Sequence, residues 1–183
     1  MARIEDVTPE NLTERQRKLY DGIMRTRPRG RLSGPFSVWI HTPDIAEPAD
    51  GLATCFRVNP KLDKRLIELI VLLMCRDATV QYAWSVHEPL ARAAGLAPAT
   101  IEAIRARRRP DLARDDERLI YDLVTELLAT KTLTTATFDR AQAALGREGL
   151  IEAISCAGFY GMIGLVLNAF EVPPQSQSGA PLT

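Results

Sequence analysis

The sequence predicts a single all-α domain, a helical bundle with a central antiparallel helix hairpin. No stretch alternates apolar and polar residues for long, so none shows the period of two typical of a half-buried strand. Apolar residues instead recur at helical spacing between Pro, Gly and Asn stop signals. The length of 183 residues, with 46% apolar and 25% charged residues, suits one soluble globular domain. We expect this domain to cover residues 1–172 and a flexible tail to cover 173–183.

The expected helices are bounded by capping and stop signals along the chain. Their predicted ranges, in order, are 13–24, a short helix near 38, 44–58, 63–75, 80–94, 97–107, 115–130, 134–145 and 148–170. Thr13 and Gln16 match a capping box at the first start, and the Pro- and Gly-rich segment 25–36 is expected to be a loop. Asn59 and Pro60 end the third helix, because the residue before a proline avoids helical backbone angles.

The helices of the central hairpin are expected to meet at a tight corner over residues 76–78. Gly95 ends the second of them. Pro89 should kink that helix or start it afresh, because proline removes a backbone donor. The apolar segment 153–167 is shorter than the roughly 20 residues that a membrane span needs, so it predicts a buried helix.

Charge and composition argue against several classes of protein. Lys plus Arg and Asp plus Glu both number 23, which argues against a nucleic-acid partner and against an anionic membrane surface. Three widely spaced cysteines, without a CxxC or Cys/His cluster, predict neither a disulfide framework nor a zinc site, so no metal site is expected. The N-terminus lacks an apolar signal core, so a cytoplasmic protein is the expectation.

One acidic residue, Glu68, lies in the apolar stretch LIELIVLLMC at 66–75. Apolar side chains cover every side of this helix, which predicts that it is buried, and a buried carboxylate needs a partner. Trp84 and His87 share one face of the next helix. An antiparallel hairpin would bring Glu68 and His87 to the same depth, where they could exchange a proton. The alternative is a core pair without chemistry.

The pattern RLIELIVLLMCRDATVQYAWSVHEPLARAAGLAPATIEAIR, which starts at Arg65, resembles the carboxymuconolactone decarboxylase-like family of the alkyl hydroperoxidase D-like superfamily. The positions that match the core motif are Arg65, Leu66, Glu68, Leu69, Tyr82, Trp84, His87, Ala91, Ala94, Gly95, Leu96 and Ile101. Weaker likeness extends over most of the chain. The resemblance implies an alkyl hydroperoxidase D-like helical bundle.

The chain departs from the redox branch of this superfamily at two positions. In that branch two cysteines precede the histidine by seven and four residues, and those positions here are Val80 and Ala83. Neither residue can form a thiolate or a disulfide, so thiol peroxidase chemistry by that route is excluded. Cys75 lies two turns after Glu68 and could face the pocket, with a role as a small buried hydrophobe as the alternative.

The resemblance implies a lyase that needs no cofactor and removes the carboxylate of a small carboxylate or lactone substrate. Glu68, His87 and Tyr82 are the expected catalytic residues, with His87 as proton donor and a core hydrogen bond as the alternative for Tyr82. The expected substrate-binding residues are Arg65, Trp84, His41, Phe36, Trp39 and Cys75. Arg65 would hold the substrate carboxylate. A surface role for Arg65, a capping role for His41 and core packing of the aromatic residues stay open.

Two other functions are compatible with the sequence. One is a peroxiredoxin-like redox protein that uses Cys75, and the other is a non-catalytic oligomeric binding protein. The helix 151–170 supports assembly, because Gly158, Gly161 and Gly164 permit close approach of another backbone. Family members that this chain resembles form trimers or hexamers, so a homotrimer or homohexamer is expected.

Overall fold

The computed structural model describes residues 2–5, 7–26, 32–174 and 182. Its regular elements within these ranges are helices, and no strand occurs there. In chain order they are a 3-10 helix at Pro9–Asn11, then α1 Glu14–Thr26, α2 Pro35–Trp39, α3 Pro43–Val58, α4 Lys64–Asp77, α5 Gln81–Ala93, α6 Pro98–Arg105, α7 Asp115–Thr130 and α8 Thr135–Ala169. The predicted all-α class is confirmed.

The central helix of the bundle is α4, which packs against α5, α7 and α8. Its residues Leu69, Ile70, Val71 and Leu72 are all completely buried. Burying one aliphatic side chain contributes about 1.5–3 kcal/mol, so this helix supplies a large share of the stability. The helix is apolar on all sides because other helices surround it.

Helices α4 and α5 form the predicted antiparallel hairpin. A hydrogen bond from the N–H of Val80 to the carbonyl of Cys75 (2.8 Å) closes the corner, where Thr79 has a φ of 51°. Helix α5 continues through Pro89 as one element, so the predicted restart at that residue does not occur. The hairpin brings the middle of α4 beside the middle of α5, which sets the depth at which their side chains meet.

Helix α8 consists of two segments divided at Gly146, whose φ of 69° and ψ of 173° are not helical. The segments correspond to the two helices predicted at 134–145 and 148–170. Within the described part of the chain, α8 is the one helix that is long and apolar enough to cross a membrane. Its contacts with α4 and α7 are those of a core helix, which favours the buried helix predicted from the sequence.

Parts of the predicted loop and tail, residues 27–31, 175–181 and 183, lie outside the described residues. Leu182 is described, and its side chain is buried against the core. Its N–H also donates to Oε1 of Gln81 at 2.7 Å. At this residue the predicted tail segment therefore contacts the rest of the chain.

Candidate active site

A cavity of about 610 Å³ lies between the central hairpin, α8 and the N-terminal helices. Most of its wall is apolar, and its volume suits a small ligand. The polar or ionisable residues that line it are Ser33, Arg57, Lys64, Glu68, Tyr82, His87 and Tyr160. This combination of an apolar wall and a few convergent polar groups is typical of a binding site for a small molecule.

Glu68 and His87 meet across the hairpin at the cavity wall. Oε2 of Glu68 lies 2.8 Å from Nδ1 of His87. Only 15% of the Glu68 side chain and 16% of the His87 side chain are exposed. Because a carboxylate accepts hydrogen bonds, Nδ1 carries a proton and the tautomer of the ring is fixed. The predicted contact between these two residues is confirmed.

Tyr160, on α8, contacts the other ring nitrogen of His87. Its Oη lies 3.2 Å from Nε2, and the two rings meet edge to face with centroids 5.1 Å apart. In the neutral ring Nε2 accepts this hydrogen bond from the phenol. Tyr160 was not among the predicted site residues, although it is a phenol inside the apolar segment 153–167. The sequence did contain a signal for this residue, because the hydroxyl of a tyrosine in a buried helix needs a hydrogen-bond partner.

Tyr82 and Phe36 line the cavity, in agreement with their expected positions. Tyr82 is buried, and a Cβ added to Gly34 would lie 2.7 Å from its ring. Gly34 also has a φ of 65°, a conformation that favours glycine. Trp39 lies behind the lining residues, with its ring edge-on to Phe36 at 5.3 Å, so core packing describes its role.

Arg65 points towards α7 and does not line the cavity, which corrects its predicted role in binding substrate. Its Nη1 lies 2.5 Å from Oε1 of Glu117, and its Nη2 lies 2.7 Å from Oδ2 of Asp116. Arg65 and Glu117 are each only 5% exposed. Two carboxylates thus hold the guanidinium inside the fold, where it joins α4 to α7.

Trp84 and His41 also lie away from the cavity wall, which corrects two further predictions. Trp84 is buried; its Nε1 donates to Glu88 at 3.0 Å, and the guanidinium of Arg105 lies 5.0 Å from its ring centroid. His41 is exposed, and its Nε2 lies 3.2 Å from the carbonyl oxygen of Glu5. Each side chain serves a structural contact at its own position.

Cys75 is buried and does not line the cavity, so its predicted place among the substrate-binding residues is corrected. Burial raises the pKa of its thiol, and the nearby negative charge of Glu68 raises it further. A thiol in this state is a weak nucleophile. Within the described ranges, no group of three or more His, Cys, Asp or Glu side chains could hold a metal ion.

Comparisons with known proteins support the fold. No family profile and no curated protein matches the sequence. An uncharacterized peroxidase-related protein from Silicibacter sp. TM1040 has a similar structure, with a TM-score of 0.75 and 14% identity over 100% of this chain and 96% of that chain.

A second similar structure is described as an alkylhydroperoxidase AhpD core, an uncharacterized peroxidase-related protein from Ralstonia eutropha JMP134. Its TM-score is 0.78, with 16% identity over 96% of this chain and 93% of that chain. The chain therefore has the predicted alkyl hydroperoxidase D-like fold. Sequence identities this low support a shared fold but not a shared activity, so the activity has to be inferred from the site itself.

Proposed function

We propose that the cavity is the active site of a cofactor-independent lyase of the carboxymuconolactone decarboxylase type, which acts on a small carboxylate or lactone. The observation that carries this proposal is the Glu68–His87 hydrogen bond at the wall of an apolar cavity. An imidazole fixed in one tautomer beside a ligand-sized space is what general acid–base catalysis requires. Val80 and Ala83, which replace the redox cysteines, favour the lyase branch.

In the proposed reaction the carbon–carbon bond to the substrate carboxylate breaks and carbon dioxide leaves. The bonding electron pair passes into the conjugated lactone, and a proton must then reach the carbon that carries the charge. Protonated His87 donates this proton from Nε2 once the substrate displaces the Tyr160 hydroxyl from that nitrogen, and Glu68 on Nδ1 balances the charge of the ring. A proton from water then restores the imidazolium. The apolar wall strengthens these electrostatic contacts, because little water screens them.

Tyr160 is a positioning residue in this scheme, because its hydroxyl holds Nε2 of His87 in one direction. We expect Tyr160→Phe to lower kcat about tenfold, the value of one hydrogen bond, while KM changes little. Steady-state kinetics across a pH series measures both. Tyr121→Phe is the matched control, since Tyr121 lies on α7 under Arg109 and does not line the cavity. An unchanged kcat in Tyr160→Phe would contradict the role.

The proposed function is tested by incubating the protein with a panel of small lactones and carboxylates. Release of carbon dioxide and loss of the lactone are followed, and consumption of hydrogen peroxide with a dithiol reductant is measured in parallel. We expect carbon dioxide release without peroxide consumption. Saturable binding without any turnover would instead support a non-catalytic binding protein.

The peroxidase alternative requires Cys75 to react as a thiolate. The burial of this residue and its raised thiol pKa oppose that role. Cys75 also does not line the ligand-sized cavity. Peroxide consumption that is lost in Cys75→Ser would nevertheless establish this alternative and overturn the lyase proposal.

We also propose that copies of the chain assemble into a homotrimer or homohexamer through the outer face of α8. Exposed apolar residues follow this face at helical spacing, including Ile151 (59% exposed), Met162 (38%) and Leu165 (73%). Gly158 lies among them with open space beside it, so another helix could approach closely.

The assembly proposal predicts that Leu165→Glu converts the oligomer to a monomer, because a carboxylate would be buried in the interface. Sedimentation velocity at micromolar concentration measures the change. Val58→Glu introduces the same charge at an exposed apolar residue on α3 and should leave the oligomer intact. A wild-type protein that sediments only as a monomer would refute the proposal.

A further inference from the structure

Arg57 and Lys64 place two cationic side chains on the cavity wall, and we propose that they form a carboxylate-binding subsite for the ligand. Arg57 lies in the last turn of α3 and Lys64 begins α4, so both lie where these helices are joined. Both side chains are exposed, whereas the Glu68–His87 pair is largely buried. An entering ligand therefore meets positive charge before it reaches the acid–base pair.

The surroundings of Lys64 leave its ammonium available to a ligand. Lys64 lies four residues before Glu68, one turn away on the same face of α4. Glu68 is engaged by His87, and it is the one acidic residue among the described residues that line the cavity. Lys64 itself makes no ion pair with an acidic residue that the structure describes. By contrast, the nearby Lys61 is paired with Glu148 at 3.1 Å.

The ligand class that fits is a small carboxylate with an apolar body. The ammonium and guanidinium groups form charge-assisted hydrogen bonds with carboxylate oxygens, and the apolar wall accommodates the remainder of the molecule. One helical turn is about 5.4 Å, so a carboxylate bound at Lys64 places an attached ring near His87. In this proposal Arg57 and Lys64 bind the substrate carboxylate, the role that the sequence suggested for Arg65. The proposal rests on the proposed function, because it identifies the residues that bind the carboxylate of that substrate.

The inference is tested by binding, with benzoate as the probe and neutral benzamide as its counterpart of the same shape. Calorimetry of the full chain at low salt should show tighter binding of benzoate. We expect Lys64→Met to weaken benzoate binding about tenfold, the usual effect of losing a hydrogen bond to a charged group. Binding of benzamide should not change. Lys64→Arg should retain most of the affinity, and Lys61→Met, which removes the neighbouring paired lysine, should match the wild type.

The same measurements contain the outcomes that would overturn the subsite. These are equal affinity for benzoate and benzamide, unchanged benzoate binding in Lys64→Met, and no saturable benzoate binding up to about 10 mM, which is about ten times the Kd of a weak millimolar site. Arg57→Met should add to the loss when it is combined with Lys64→Met. Because binding is measured without turnover, a failure to find lyase activity would leave this result standing. Lyase activity that is insensitive to Lys64 would reject the subsite alone.

Discussion

Replacement of His87 with Ala is expected to lower kcat of the lyase reaction by at least about a hundredfold, the lower end of the contribution of a positioned general acid. His87 lies at the cavity wall with Nδ1 held by Glu68 and Nε2 by Tyr160. No other histidine lines the cavity in the described part of the chain. Steady-state kinetics with the substrate that the lactone panel identifies gives the value.

His41 provides the matched control for this experiment. It is the other histidine of the sequence, and it is exposed and contacts the backbone of Glu5. His41→Ala should therefore leave kcat within about twofold of the wild type, since it removes no group from the site. Equal activity of His87→Ala and the wild type, with both proteins folded, would remove His87 from the mechanism.

Replacement of Arg65 with Ala is expected to lower the free energy of unfolding by about 3–5 kcal/mol. The change leaves the carboxylate of Glu117, which is 5% exposed, without its guanidinium partner. A buried and unpaired charge is costly because the interior cannot replace its hydration. Urea denaturation followed by circular dichroism measures the loss.

Two variants show whether the Arg65 effect comes from the buried charge. Lys61→Ala removes a pair with Glu148 in which both side chains are mostly exposed, and it should cost less than about 1 kcal/mol. Arg65→Met combined with Glu117→Leu should recover much of the lost stability, because no charge is left unpaired. A small effect of Arg65→Ala, comparable with that of Lys61→Ala, would contradict the interpretation.

The Arg65 contacts also predict a dependence of stability on pH. Burial raises the pKa of Asp116, but hydrogen bonds from Arg65 and Arg114 outweigh this effect and leave the pKa below its usual value. The folded pKa is thus lower than the unfolded one, which is about 3.9. The stabilisation from Asp116 is therefore present above that pH and is lost as the pH falls through the acidic range. The Arg65→Ala variant should lose part of this dependence.

The core of the fold and one pair of the site could be predicted because burial is visible in the sequence. A helix that is apolar on every side has to lie in the centre, and Glu68 within it has to find a polar partner. The partner was identifiable because the hairpin joins two consecutive helices with a short corner. Tyr160 lies 73 residues from His87 along the chain, and no local pattern relates α8 to α5.

The error at Arg65 comes from the limits of helical spacing. Arg65 lies three residues before Glu68 and Lys64 lies four before it, so both belong to the same broad face. At about 100° per residue, these positions fall on opposite sides of Glu68. Lys64 consequently lines the cavity, whereas Arg65 reaches α7. Sequence spacing predicts which residues share one face of a helix. Which neighbouring helix each of those residues contacts depends on how the helices pack.

The cavity is enclosed by two sets of helices that differ in how much the fold depends on them. Glu68, His87 and Tyr160 belong to α4, α5 and α8, whose packing forms the centre of the protein. The rest of the wall comes from α1, residues 32 and 33, α2 and α3, which pack less extensively against α4. Substitutions at half-buried wall residues such as Met24, Leu32 and Ala53 can therefore reshape the space for a ligand at less cost in folding than substitutions in α4. The substrate that fits the cavity can therefore change during evolution while Glu68, His87 and Tyr160 keep their relative positions.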